Sequence, residues 1–136
     1  MNTFKFDIFF NHNAEDLYLV QYISQAMRDA GFSTFDRSVD ALPDSPADAI
    51  SEDDALDQSM VMVDVLTENS LTDPSVQQLA ARAVAARKPV IVLNYTTEPV
   101  PDNLKSYPEV KVERADTDGA SRAIERILKE AMNLAQ

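Results

Sequence analysis

Hydrophobic and polar positions along this chain predict strands and helices in alternation. Short apolar runs rich in aromatic and β-branched residues predict five strands: Phe4–Phe10, Phe32–Asp36, Met60–Leu66, Pro89–Asn94 and Val110–Glu113. Apolar residues at every third or fourth position predict four helices: Ala14–Ala30, Pro46–Asp57, Pro74–Arg87 and one that starts at Asp118 or Ser121. Helices between successive strands favour parallel pairing with right-handed crossovers. We therefore expect an α/β, flavodoxin-like three-layer sandwich with a five-stranded parallel sheet of order 2-1-3-4-5.

Residues at the predicted helix ends support these boundaries. Asn13 is suited to cap the first helix, and Asp73 precedes a proline, Pro74, that fits the first position of the third helix. Ser45 is a similar cap candidate for the second helix. Gly31 follows the first helix, where a residue with positive φ commonly ends it.

Length, charge and composition narrow the class of protein. The chain has 136 residues, which fits a single domain over residues 1–136. No apolar run reaches the roughly 20 residues of a membrane span, and the N-terminus does not resemble a signal peptide, so we expect a cytoplasmic protein without membrane contact. The net charge of −11 disfavours nucleic acid and suits partners with basic patches. A generally acidic proteome would explain the same charge.

Candidate ligand-binding residues follow from the fold, because such sheets bind ligands beyond the carboxyl ends of their strands. The candidates in these loops are Asn11, His12, Asn13, Asp36 and Ser70. His12 would contact a nucleotide ribose or phosphate, or else lie exposed and help to cap the first helix. Asp36 would contact the ligand or else stabilise the turn at the end of the second strand.

Several acidic residues also allow two interpretations. Asp16 would be a ligand group, or it would complement the dipole of the first helix. The acidic face formed by Ser51–Asp54 and Asp57 would bind a cation or act as an acid–base pair, or else be solvated, which is the interpretation we favour. Asp64 stands inside an apolar strand, where a buried carboxylate needs a partner or a shifted pKa, and we expect it to reach a loop amide. With two Gly and no Cys in the chain, no Gly-rich phosphate loop or thiolate metal site is predicted, and no cofactor follows from composition.

Four segments match, in order and spacing, the motifs of one known family. Phe6–Asp16 reads as an aromatic-Asp-x-Phe strand followed by a loop that ends in Asp, and Phe35–Asp36 gives an aromatic-Asp end to the second strand. Thr67–Ser70 is similar to a Ser-x-Asn-Ser turn, and Arg87–Ile91 is similar to a Gly-Lys-Pro-Val-Ile segment. Together these segments resemble a bacterial-type Toll/interleukin-1 receptor (TIR) domain.

The resemblance also identifies a missing residue. TIR domains that cleave NAD carry a Glu on the third helix, nine residues before the Lys of the Lys-Pro-Val segment. Counting back from Lys88, that position is Leu79, and the neighbouring Gln78 would be turned about 100° away. Leu cannot hold ribose hydroxyls or stabilise an oxocarbenium ion. No catalytic residue is therefore assigned, and enzymatic activity stays an open question at this stage.

The resemblance implies a signalling module that acts by protein–protein assembly without NAD cleavage. Its interface would include the second loop, at Leu42, Pro43 and Asp44, and the third helix. Its partners would be other TIR domains or copies of itself, in a homo-oligomer.

One alternative is an NAD-cleaving or nucleotide-modifying enzyme of bacterial immunity, with a carboxylate relocated to Asp36 or supplied by a neighbouring chain. NAD or a related nucleotide would then be substrate, or the ligand of a sensor. A nucleoside 2-deoxyribosyltransferase is a further alternative, which Leu79 again disfavours.

Overall fold

The computed structural model describes residues 5–36, 51–113 and 117–135 of the chain. Its strands are β1 (Phe6–Asn11), β2 (Thr34–Phe35), β3 (Ser59–Leu66), β4 (Val90–Asn94) and β5 (Glu109–Lys111). Its α-helices are α1 (Leu17–Asp29), α2 (Glu52–Asp57), α3 (Pro74–Ala85) and α4 (Thr117–Ala135). Single 3₁₀ turns lie at Ala14–Asp16, Ser70–Thr72 and Asp102–Leu104.

The strands form one parallel sheet in the order 2-1-3-4-5, which confirms the predicted α/β topology. β3 is the middle strand and reads as a nearly continuous apolar run because both its faces are covered. Asp64 of β3 is in register with Asn11 of β1 and Val92 of β4. Paired residues of neighbouring parallel strands share a face of the sheet, so these three side chains lie in one row.

The two faces of the sheet are covered by different helices, each with its own apolar core. α1 and α4 cover one face through Val20, Ile23, Met27, Ala120, Ile124 and Leu128. α2 and α3 cover the other through Ala55, Leu56, Leu79, Ala80 and Ala83. The row that contains Asp64 lies on the face of α2 and α3, between the core residues Met62 and Leu66.

The helix ends follow the local chemistry of the sequence. The Asn13 side chain accepts a hydrogen bond from the Glu15 amide at 2.8 Å, and Asp73 accepts one from the Ser75 amide at 2.9 Å. Gly31 has φ +99° just after α1, a backbone conformation that side chains with a Cβ rarely adopt. The boundaries at Asp73 and Gly31 are confirmed, whereas Asn13 caps the 3₁₀ turn Ala14–Asp16 and α1 begins after it, at Leu17.

The prediction of one continuous helix over Pro46–Asp57 is wrong at Ser51. Ser51 is extended (φ −68°, ψ 157°), and its hydroxyl caps α2 by accepting from the Asp54 amide at 3.1 Å. A serine followed by acidic residues is a strong helix start, which outweighs the helical periodicity. The cap candidate Ser45 and the interface candidates Leu42, Pro43 and Asp44 lie outside the described residues. Among the helices in the described ranges, none is long and apolar enough to cross a membrane.

Candidate functional site

Buried polar side chains gather where the parallel strands end. They are Asn11, His12, Asp16, Asp36, Asp64, Thr67, Ser70 and Asn94. Because buried polar groups are almost always hydrogen-bonded, their partners indicate what each can still do. Four of the five predicted ligand residues belong to this group, and the fifth, Asn13, is half-buried.

His12 and Asp36 form a buried pair between the ends of β1 and β2. His12 Nε2 lies 2.8 Å from Asp36 Oδ1, and His12 Nδ1 lies 2.8 Å from the carbonyl oxygen of Asn13. A carbonyl oxygen only accepts, so Nδ1 donates, and the carboxylate at Nε2 suits a second N–H. One proton therefore lies between His12 Nε2 and Asp36 Oδ1. The prediction of an exposed His12 is wrong, because the residue is 1% exposed and directed at Asp36.

Asp16 connects the start of α1 to the loop after β3. Its carboxylate accepts from the Thr67 hydroxyl and from Asn69 Nδ2, the latter at 3.3 Å. It makes no capping hydrogen bond to α1. The Ser70 hydroxyl accepts from the Thr67 amide at 2.7 Å and donates to the Thr67 carbonyl, so it closes its own turn. Both side chains thus bond other parts of the protein, and their role as ligand residues stays a prediction.

Asn13 joins the starts of two helices. While its oxygen caps the first turn, its Nδ2 donates to Asp73 Oδ2 at 2.8 Å. The other oxygen of Asp73 caps α3. Both residues are therefore engaged in helix starts on opposite faces of the sheet.

Asp64 is held by Asn11, not by a loop amide as expected. Asn11 Nδ2 donates to Asp64 Oδ1 at 3.2 Å and to the Val76 carbonyl oxygen of α3 at 2.9 Å. Burial raises the pKa of Asp64 to about 7, and the Asn11 hydrogen bond opposes this rise. Asn11 and Asp64 were each noticed in the sequence, but their pairing depends on sheet register and was missed.

Leu79, the position of the missing Glu, borders a surface groove of about 440 Å³, which we call the α2–α3 groove. Its lining comprises Ser51, Glu52, Asp53, Ser75, Gln78, Leu79 and Arg82. Leu79 is only 7% exposed and packs into the core. Gln78 lines the same groove but is exposed, whereas its neighbour Leu79 is buried. Arg82 pairs with the exposed Asp57 at 3.0 Å and Asp53 at 3.6 Å, so the groove carries carboxylates on its α2 side.

The side chains described here do not assemble a metal centre. Over residues 5–36, 51–113 and 117–135, no three His, Cys, Asp or Glu residues stand close enough to hold an ion. The polar groups at the strand ends are thus arranged as pairs and turns.

Comparison with known proteins gives one family model that matches this sequence and solved structures that share its fold. A family model described as TIR domain matches residues 8–128. The TIR domain of a Toll-related receptor from Hydra magnipapillata superposes with a TM-score of 0.67 at 17% identity, over 92% of this chain and 99% of that one. A 2-deoxyribosyltransferase from Bacillus psychrosaccharolyticus superposes with a TM-score of 0.66 at 16% identity, over 85% of this chain and 90% of that one. At such identities both structures share the fold alone. No curated protein matches the sequence significantly.

Proposed function

The chain belongs to the TIR-domain family, and from that premise we propose that it is a signalling and interaction module that works by assembly without cleaving NAD. Its partners are other TIR domains or further copies of itself. The observation that carries this proposal is Leu79, an apolar core residue where the enzymes of the family carry a Glu.

The chemistry of NAD cleavage requires a negative charge beside the ribose as the glycosidic bond breaks. Leu79 supplies none, and its burial leaves little room for a carboxylate without desolvation. Gln78, its exposed neighbour in the α2–α3 groove, supplies an amide but no charge. The α3 side of the groove therefore supplies no charge at the position where the enzymes of the family carry theirs.

The predicted ligand residues are also occupied within the protein. His12 and Asp36 are bonded to each other, and Ser70 is bonded to the backbone of its own turn. Asn11 uses its amide on Asp64 and on α3. These side chains support a rigid strand-end layer, which suits a module whose surface is its functional part.

Assembly would use the exposed side of α3 and the second loop. Gln78, Ala81, Arg82 and Ala85 are exposed along α3 and carry one charge among them. Leu42, in the second loop, remains a predicted contact. Since the chain carries a net charge of −11, two copies repel each other at long range. Self-association should therefore strengthen as salt screens this repulsion, whereas binding to a basic partner should weaken.

Sedimentation velocity over a concentration series, at low and at high salt, tests the assembly. We expect wild-type protein to associate with concentration, Leu42→Asp to remain monomeric, and Gln21→Asp to behave as wild type. Gln21 lies on the exposed side of α1, so its variant carries the same added charge on a different face. A monomer at every concentration and salt, with no association with a second TIR domain, would contradict the proposal.

The absence of NAD cleavage is tested on the same samples. Concentrated protein is incubated with NAD, with and without a crowding agent, and nicotinamide is followed by chromatography. We expect product formation to match that of a Leu79→Asp variant and of buffer alone. Product that scales with protein concentration would overturn the non-catalytic part of the proposal.

One observation favours NAD cleavage as a second candidate function. Glu52 and Asp53 line the α2–α3 groove beside Leu79 and could supply the missing negative charge. If they do, nicotinamide formation would be lost in Glu52→Gln or in Asp53→Asn. It would be retained in Asp54→Asn, a matched variant whose carboxylate does not line the groove.

A further inference from the structure

A second cavity lies on the other side of α3, and we call it the Asp64 cavity. It has a volume of about 230 Å³ and is enclosed by α3 and by the 3₁₀ turns Ser70–Thr72 and Asp102–Leu104. Most of its wall is apolar, including Leu66, Val76, Ala80 and Leu104. A cavity of about 150 Å³ accommodates benzene, so this one has room for a molecule with one ring and a short substituent.

Asp64 places a single carboxylate in this apolar wall. The residue is 1% exposed, and its Oδ1 is held by Asn11 Nδ2. Because Asn11 also bonds the Val76 carbonyl, the orientation of the pair is fixed from α3. Asp64 Oδ2 has no hydrogen-bond partner among the described residues. A buried acceptor left without a donor is costly, so a ligand that brings a donor to this oxygen gains that free energy.

The charge of the protein favours a positively charged donor. A carboxylate in apolar surroundings is stabilised by a cation at hydrogen-bond distance, and the net charge of −11 raises the local concentration of cations. A divalent metal is disfavoured, because it favours several carboxylate ligands and Asp64 is the only acidic residue among the described residues of the lining. The polar part of the lining also includes the buried Ser70 and the exposed amides of Gln77 and Asn103.

We propose that the Asp64 cavity binds a compact organic cation, an amine whose N–H group donates to Asp64 Oδ2 while its apolar body packs against Leu66, Val76 and Leu104. This site is separate from the α2–α3 groove: Val76, Gln77 and Ala80 of α3 line the cavity, whereas Ser75, Gln78 and Leu79 line the groove. The proposal goes beyond the assembly function and does not depend on it.

Benzylamine is the probe, with toluene as its uncharged counterpart. Binding is followed by amide NMR shifts in the full chain and by the side-chain carboxyl carbon of Asp64. At pH 6 the carboxyl is largely protonated, because burial raises the pKa of Asp64 to about 7. We expect benzylamine to bind saturably, to shift the amides around the cavity, and to move the Asp64 carboxyl signal to its ionised position.

Two variants separate this site from general attraction of cations. Asp64→Asn keeps the shape and removes the charge, and we expect it to weaken benzylamine binding at least tenfold. Asp102→Asn removes one exposed charge from the adjacent turn and should leave binding within twofold of wild type. Unsaturable binding, shifts away from the cavity, or equal binding by Asp64→Asn would overturn the proposal. If Asp64→Asn does not fold, an Asp64 signal in wild-type protein that benzylamine leaves unmoved overturns it instead.

Discussion

The two sides of α3 carry carboxylates in opposite environments. On the side of the α2–α3 groove, Arg82 pairs with Asp53 of the lining and with the nearby Asp57, whose side chains are 61% and 53% exposed. Across the helix, Asp64 is 1% exposed and has one amide donor. Water solvates the first group, whereas burial raises the pKa of Asp64 to about 7. A count of acidic residues in the sequence does not distinguish them, but their environments predict quite different behaviour.

The helix itself produces this difference. Val76 and Ala80 are four residues apart and face the cavity, while Ser75, Gln78 and Leu79 face the groove. Side chains four positions apart share a helix face, and a step of one residue turns by about 100°. Leu79 borders the groove but packs in the core, so a single step along α3, from Gln78 to Leu79, leads from the exposed surface to the interior.

The largest effect should come from the pH dependence of Asp64. The folded protein retains the Asp64 proton up to about pH 7, whereas the unfolded chain releases it near 3.8. In this window the folded state binds more protons, so the free energy of unfolding falls as pH rises from about 4 to 7 and then levels off. Three pKa units correspond to roughly 4 kcal/mol.

Asp64→Asn removes the titration of this carboxyl. The difference in unfolding free energy between Asp64→Asn and wild type should therefore rise by roughly 4 kcal/mol in favour of the variant between pH 4 and pH 8. Urea unfolding of both proteins across this range is the measurement. All other titrating groups are shared by the two proteins, and parallel pH profiles would mean that Asp64 ionises normally in the fold.

The next largest effect should be that of Leu79→Ala. Leu79 is 7% exposed and packs among the residues between α3 and the sheet, so its truncation should cost about 3 kcal/mol of unfolding free energy. The exposed neighbour serves as control: Gln78→Ala should change stability by less than about 0.5 kcal/mol. If both substitutions have equally small effects in urea unfolding, the Leu79 side chain is exposed in the groove and not packed in the core. An enzymatic function of the groove would then be more plausible.

The fold was predictable because its signals are local and repeated. Aromatic and β-branched runs marked the strands, while Val20, Ile23 and Met27 marked the buried side of α1. Right-handed crossovers then left few strand orders to consider. Errors fell where local signals compete, as at Ser51, where a capping serine interrupts an otherwise helical pattern.

The sequence predicts where the polar residues of the site gather but not which of them bond to each other. Strand ends correctly gave Asn11, His12 and Asp36 as a polar group, because parallel strands bring their carboxyl ends to one edge. Their partners depend on register and on which strands are neighbours, which periodicity does not encode. The pair of Asn11 and Asp64 spans two strands 53 residues apart in sequence, and an exposed loop was the natural expectation for His12.

The smallest effect should be that of Arg82→Gln, which removes both ion pairs of the α2–α3 groove. Arg82 keeps 45% of its side chain exposed, and its partners are more exposed still. Water already solvates all three groups, so the loss should be about 0.5 kcal/mol or less and should vanish in concentrated salt. Of the carboxylates left behind, Asp53 lies in the first turn of α2, where the helix dipole favours it, whereas Asp57 is the last residue of that helix. A loss above about 2 kcal/mol in urea unfolding, unchanged by salt, would show that the groove is as desolvated as the Asp64 cavity and would remove the contrast between the two sides of α3.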